Sequence, residues 1–170
     1  MSDVAIAVVR EDDLSDLLPL MRGYCDFYEV SPSDDALLAL SRALIADPER
    51  DGTQLIARAA PASNVRLTPT DAANRTQLGE PLGFATIYWS WSTTNGPGRL
   101  AIMNDLFVAP EARGGGVAEA LIEACRERAR EHGAIALQWE TALDNERAQK
   151  VYDRVGGERS QWLTYSLPVE

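Results

Sequence analysis

Gly114, Gly115 and Gly116 stand between an apolar run, Arg99 to Val108, and an amphipathic one, Val117 to Glu131. In the second run Val117, Leu121, Ile122 and Cys125 recur at helical spacing, and His132-Gly133 closes it with glycine in the C′ position. A strand that enters a glycine loop and leaves as a helix predicts a crossover, and so a parallel strand pair somewhere in the sheet. It also sets the free N–H groups of a helix N-terminus where glycines let an anion approach. Arg113 can add positive charge there. The loop fits neither the Walker pattern nor the dinucleotide pattern. Taken alone, it is equally consistent with a flexible turn.

The rest of the chain fills in around this crossover. Val4 to Val9 reads as a first strand. Acidic Glu11-Asp12-Asp13 opens a helix that carries Leu14, Leu17, Leu18, Met21 and Cys25 and ends between Phe27 and Val30. A second helix starts at Ser31 to Asp35 and stops at Asp47-Pro48. Strands follow at Thr53 to Ala59, Leu82 to Trp91 and Arg99 to Val108, the last two joined as an antiparallel hairpin by Asn95-Gly96-Pro97-Gly98. Residues 60–80 read as a long, mobile hairpin loop. Beyond the glycine-loop helix come a strand at Ile135 to Glu140, a helix from Asn145 to about Arg154, and a last strand at Gln161 to Leu167. The expectation is one α+β domain over 1–170 with a mixed, mostly antiparallel sheet.

Composition narrows the function. Net charge is −10 and the pI near 4.6, which argues against nucleic-acid binding through bulk charge and suits a cationic partner. Cys25 and Cys125 have no metal-ligand spacing and read as buried, reduced thiols, so no metal site is expected. No apolar run is long enough for a membrane span, and no signal-peptide pattern opens the chain. A cytoplasmic location is expected.

A second element is Asn145-x-x-Ala148-x-x-x-Tyr152, whose residues share one helical face. Read alone, Tyr152 on that face is either packing or a hydroxyl presented to a site. Together with Pro110-x-x-Arg113-x-x-Gly116-x-Ala118-x-x-Leu121, and with the order of elements, it resembles the GNAT superfamily of acetyl-CoA-dependent N-acetyltransferases. Asn104-Asp105-Leu106-Phe107-Val108, Tyr24-x-x-x-Tyr28-Glu29 and the tail Trp162-Leu163-Thr164-Tyr165 are similar to the branch that acetylates histones and polyamines. Many polyamine and thialysine enzymes carry Glu before the Asp of this strand; here the residue is Asn104.

The resemblance implies a sheet of about 6–7 strands flanked by about four helices, with the fourth and fifth strands splayed apart around pantetheine. It implies that the backbone of Leu106, Phe107 and Val108 pairs with pantetheine and that the Val108 amide polarises the thioester carbonyl. Amides of Arg113, Gly114, Gly115, Gly116, Val117 and Ala118 would hold the pyrophosphate, Asn145 would steady the pantetheine arm, and Tyr152 would protonate the departing thiolate. The attacking amine must lose a proton at neutral pH. Asp105, Glu29 and Glu140 are the candidate bases, with Asp105 preferred; their bland readings are a sheet acceptor, a helix-end charge and a strand-end charge. Tyr28, Glu29 and Glu140 are candidate substrate residues. His132 reads as a dipole partner or surface residue, and Trp89 and Trp91 as sheet packing rather than a substrate wall. The expected reaction is direct acetyl transfer from acetyl-CoA to a small cationic amine such as a polyamine or diamine. Protein lysine, an aminoglycoside, or mere acyl-CoA binding are the alternatives. The apolar last strand, at a sheet edge, predicts a homodimer.

Overall fold

A computed structural model describes residues 4–60, 79–94 and 96–169. Their contacts divide the chain into two compact units, Met1–Glu140 and Thr141–Glu170. Most of the loop expected at 60–80 lies outside the described residues.

The first unit holds a five-stranded sheet in the order β1-β2-β3-β4-β5. The strands are β1 (Val4–Val8), β2 (Gly52–Ala59), β3 (Pro81–Ser92), β4 (Gly98–Val108) and β5 (Ala134–Gln138). The first four pair antiparallel, and β4 pairs with β5 in parallel. The crossover between that parallel pair is helix α3 (Val117–Glu131), as the glycine-loop pattern predicts. Helices α1 (Leu14–Phe27) and α2 (Asp34–Ala46) connect β1 to β2. Ser33 caps α2 by accepting from the Ala36 amide at 3.2 Å.

Alternation along the strands sorts side chains to two faces of the sheet. Phe84 and Phe107 sit opposite each other on β3 and β4 and share a core with Leu17, Leu20, Met21 and Cys25 of α1. Gly23 permits this packing, since a Cβ there would stand 2.6 Å from the Phe107 ring. Burying each such large side chain contributes roughly 1.5–3 kcal/mol. Leu121 of α3 packs against Gly83 on the opposite face. An ion pair that spacing does not reveal ties α1 to β2: the Arg58 guanidinium, 8% exposed, meets Asp13 at 3.0 Å and Asp16 at 2.6 Å.

One surface expectation holds, one holds for Trp89 but not for Trp91, which is 70% exposed with Arg99 over its ring at 5.0 Å, and one changes. Arg126, Arg128 and Arg130 pair with Glu123, Glu131 and Glu127 along α3, a solvated face. Trp89 is packing: its ring stacks on His132 at 3.9 Å and its indole donates to the Pro48 carbonyl at 2.7 Å. His132 is therefore no plain surface residue but a half-buried plate between Trp89 and Arg99.

The second unit holds α4 (Glu146–Arg154), capped by Asn145. The strand expected at Gln161 to Leu167 does not form; residues 157–169 take no regular secondary structure. The count is thus five strands rather than six or seven. An alternating apolar pattern specifies which face a strand would bury, but a strand also needs a hydrogen-bonding partner, and here Trp162 and Tyr165 stay 86% and 87% exposed.

Candidate functional site

Two breaks in the pairing of β4 coincide. On the β3 side Thr86 faces Asp105 but Ile87 faces Met103, so Asn104 is an extra residue, a β-bulge. On the β5 side the ladder runs only as far as Ile102 opposite Gln138. Met103 to Val108 continue along β3 without a β5 partner, which is the splayed pair expected of the fourth and fifth strands. Leu106, Phe107 and Val108 lie on this open stretch, where a ligand amide could add like a further strand.

Past β4, a 3-10 turn (Pro110–Ala112) leads into the glycine loop. Gly114 and Gly116 both adopt left-handed backbone, at φ +83° and +84°, and a Cβ on either would point into open space. Gly116 is the N-cap of α3, and no side chain caps the helix there. The first-turn amides of Val117, Ala118 and Glu119 precede the first intrahelical bond, which Ala120 donates to the Gly116 carbonyl at 3.0 Å. The loop thus has the features of an anion cradle: bare glycine backbone in front of an uncapped helix dipole. The residues present fit the diphosphate of an acyl-CoA. Arg113 turns back toward the strand, its Nε donating to the Val108 carbonyl at 2.9 Å and its guanidinium lying 5.8 Å from the Phe107 ring centre.

The bulge also changes which face Asp105 occupies. Met103 pairs with Ile87, on the face covered by α3. Asp105, two residues on, pairs with Thr86, on the face of Phe84 and α1. Without the extra residue both would face the same way. On that face Gln54 Nε2 donates to Thr86 Oγ1 at 3.2 Å, so Gln54, Thr86 and Asp105 form a polar row across β2, β3 and β4. Asn104 Nδ2 donates to Asp105 Oδ1 at 3.0 Å. Tyr24 of α1 donates its hydroxyl to the Asn104 carbonyl at 3.4 Å. Its ring packs edge-on against Tyr28 at 5.0 Å and Phe84 at 5.9 Å. Burial first, and the Asp105 charge second, push the Tyr24 hydroxyl well above the ordinary phenol range. The same two causes, in the same order, raise Tyr88.

The expected site residues fall into place unevenly. Tyr28 and Asp105 are brought together around Tyr24, and Glu29 follows directly, ending α1. Glu29 takes left-handed backbone, φ +56°, in a Schellman end where Val30 donates to the Cys25 carbonyl at 3.1 Å. A non-glycine residue there carries strain of about 1–2 kcal/mol. Glu140 is exposed, two residues past β5. In the second unit Asn145 Oδ1 accepts from the Ala148 amide at 3.2 Å, which leaves its Nδ2 as the donor for a ligand. Tyr152 lies two turns along α4, half-buried. Tyr88 is the residue that spacing alone misses, and Tyr24, which stands in the Tyr24-x-x-x-Tyr28-Glu29 match, takes no role from the sequence. Their signal lies in cross-strand register, which one sequence does not carry. Among the described residues no group of three or more His, Cys, Asp or Glu could hold a metal ion, and no helix is long and apolar enough to cross a membrane.

Comparison with known proteins adds four findings. A family model described as Acetyltransferase (GNAT) family matches residues 41–157. The uncharacterized N-acetyltransferase YhfO of Bacillus subtilis is 28% identical over 165 residues, 96% of this chain and 97% of its own length. The D-amino-acid N-acetyltransferase HPA3 of Saccharomyces cerevisiae is 40% identical over 80 residues, 47% of this chain and 49% of its own length. Among solved structures, the aminoglycoside N-acetyltransferase AAC(6′)-Iy in complex with CoA superposes with TM-score 0.75 at 22% identity, covering 99% of this chain and 96% of its own, a likeness of fold.

Proposed function

The chain belongs to the GNAT acetyltransferase family, and from that premise we propose that it moves an acetyl group directly from acetyl-CoA to the primary amine of a small cationic acceptor, with polyamines and diamines leading. The observation that carries this reading is the coincidence of the open β4 edge, Met103 to Val108, with the glycine cradle that follows it.

In this reading the backbone of Leu106 to Val108 aligns the pantetheine arm, and the amides from Arg113 to Ala118 bind the diphosphate. Asn145 steadies the arm. The Val108 amide donates to the thioester oxygen as negative charge grows there. The co-substrate supplies an activated acyl carbon. Asp105 takes the proton of the acceptor ammonium, whose pKa of about 10.4 leaves roughly one part in a thousand neutral at pH 7.4. The amine nitrogen bonds to the acyl carbon, the carbon–sulfur bond breaks, Tyr152 gives its proton to the sulfur, and the second proton of the nitrogen leaves through solvent, from which the Tyr152 phenolate is reprotonated.

A cation is favoured over a zwitterion by the acceptor side of β4. Tyr24, Tyr28, Tyr88, Asn104 and Asp105 supply one carboxylate, aromatic faces and no arginine or lysine, which suits an ammonium and offers no partner to an amino-acid carboxylate. We assign Glu29 and Glu140 to the acceptor's far end. The net charge of −10 works in the same direction by drawing cations in. We further place the enzyme in the cytoplasm, where the free, buried Cys25 and Cys125 stay reduced, and as a homodimer that covers Trp162, Leu163, Tyr165 and Leu167 of its tail.

Thiol release from acetyl-CoA and longer acyl-CoAs tests the reaction. The acceptor panel spans spermidine, a short diamine, an aminoglycoside, a lysine peptide and a D-amino acid. Amine-dependent release led by the diamine or polyamine is the expected result. Acetyl-CoA binding with no release on any amine would support a non-catalytic acyl-CoA-binding module, and release led by the aminoglycoside or peptide would move the acceptor to those alternatives. A monomeric mass by light scattering at micromolar concentration would remove the dimer.

A further inference from the structure

We infer that Tyr24 and Asn104 are positioning residues that hold Asp105 in the one register from which it can take the acceptor's proton, an inference that rests on the acetyl-transfer reading above. The argument starts from the bulge. An extra residue in a strand leaves its own backbone groups outside the ladder, and a carbonyl so freed must find another donor or accept exposure to water. The Asn104 carbonyl finds Tyr24, whose hydroxyl reaches it from α1 at 3.4 Å across eighty positions of sequence. The Asn104 side chain turns the other way along the chain and donates to Asp105 Oδ1 at 3.0 Å. One residue therefore clamps the bulge through its backbone and the carboxylate through its amide.

Three consequences follow from this bracket. The bulge keeps Asp105 on the α1 face beside Thr86; slipping it out would send Asp105 to the face of Ile87 and Met103, under α3. With Oδ1 engaged by Asn104 and the Tyr24 hydroxyl also lying against the carboxylate, Asp105 is held from two sides. Tyr24 cannot drift, because its ring is held edge-on by Tyr28, Phe84 and Phe107, at 5.0, 5.9 and 6.4 Å. Its hydroxyl also lies in the field of the Asp105 carboxylate and is kept protonated by its surroundings, so it stays a donor across the working pH range. Asn at position 104 thus has work of its own: it orients a neighbouring carboxylate rather than supplying one.

The test compares Tyr24→Phe, Asn104→Ala, Asp105→Asn and the double variant Tyr24→Phe/Asp105→Asn with the natural enzyme, using the best amine of the panel. Tyr24→Phe keeps every ring contact, and Asn104 is exposed, so at least one single variant reports on function with the fold intact. At pH 7 each single positioning variant should lower turnover by roughly tenfold to a hundredfold, the scale of a misaligned reacting group. The acetyl-CoA dissociation constant, by titration calorimetry, should stay within twofold. The deficit should shrink as pH rises toward the amine's own pKa, because an acceptor that arrives neutral needs no base. The double variant should be no worse than Asp105→Asn alone, since there is then no base left to position. Natural turnover in both positioning variants, a deficit equal at every pH, or a double variant whose losses multiply would each overturn the inference. A natural enzyme that releases no thiol with any amine would instead bring down the acetyl-transfer reading, and this inference with it.

Discussion

The two units of this chain are stabilised by different physics. Met1–Glu140 is built around a sheet with helices on both faces, a continuous apolar core and a buried ion pair. Thr141–Glu170 has one nine-residue helix with no buried residue. It is held by local hydrogen bonds: Asn145 to the Ala148 amide, Gln149 to the Ala142 and Leu143 carbonyls, and Arg159 to Asp153. Helices this short are marginal by themselves. Candidate residues lie in each: Asp105 and the glycine loop in the first unit, Asn145 and Tyr152 in the second. Stability and proton transfer can therefore be lost independently, and substitutions in the two units should separate them.

The sharpest separation is expected at Tyr152. Tyr152→Phe keeps the ring and removes the proton donor, so turnover should fall by about 10² to 10⁴ while acetyl-CoA affinity holds within a few-fold. Single-turnover kinetics, which isolate chemistry from product release, make the measurement. A Phe variant with natural single-turnover rates would return Tyr152 to packing and erase the division of labour. Arg58→Met probes the opposite pole. It leaves the Asp13 carboxylate without its guanidinium in a dry setting, and urea denaturation should show a loss of about 3–5 kcal/mol. A loss below about 1 kcal/mol would show that the first unit does not depend on this pair.

The cradle is the next test. Acetyl-CoA at a hundred times its dissociation constant should stabilise the natural protein by roughly 2.7 kcal/mol. Gly116→Asp should abolish that gain. Its Cβ meets nothing within 4 Å, and Asp is among the residues that tolerate left-handed backbone, so the fold survives while a carboxylate stands where phosphate must lie. An unchanged thermal shift in the variant would take the loop out of the site. The smallest effect belongs to the second unit. The Arg159 hydrogen bond and charge hold the exposed Asp153 carboxyl below the usual carboxylate value. A depressed carboxylate contributes only above its unfolded pKa, near 3.9, and loses that contribution as pH falls through the folded value. Carboxyl NMR should find Asp153 titrating below 3.9 and returning toward it in Arg159→Gln, with the urea midpoint at pH 7 only slightly lower in the variant.

Legibility in the sequence tracked the range of the interaction. Helix α3 is readable to the residue, Val117 to Glu131, because glycine conformations and helical period are local signals. The hairpin β3–β4 and the parallel crossover follow from the same kind of reasoning. The bulge does not. Nothing in Met103-Asn104-Asp105 announces an extra residue, since a bulge is defined against the partner strand. The Arg58–Asp13 pair is likewise invisible: it joins residues forty-five positions apart. At Gln161 to Leu167 a period-2 apolar pattern was present and the strand was not, so pattern alone misled. At the candidate site the glycine loop, Asn145, Tyr28 and Asp105 could be chosen from spacing and family resemblance. Tyr24 belongs to the Tyr24-x-x-x-Tyr28-Glu29 match as well, but its role is not legible there, because it depends on a carbonyl that only the folded register sets free.

The point where β4 parts from β5 also bears on how this protein should be handled. From Met103 to Val108 one side of the strand runs on with no β5 neighbour, and such an edge is a template on which foreign strands can assemble. Its sequence, Met103-Asn104-Asp105-Leu106-Phe107-Val108, has one charge and no proline to discourage stacking. The edge proposed to accept a strand-like ligand is thus also a seed for aggregation. Stocks kept with CoA should stay clear on storage longer than stocks kept without it, for reasons of colloid chemistry rather than catalysis.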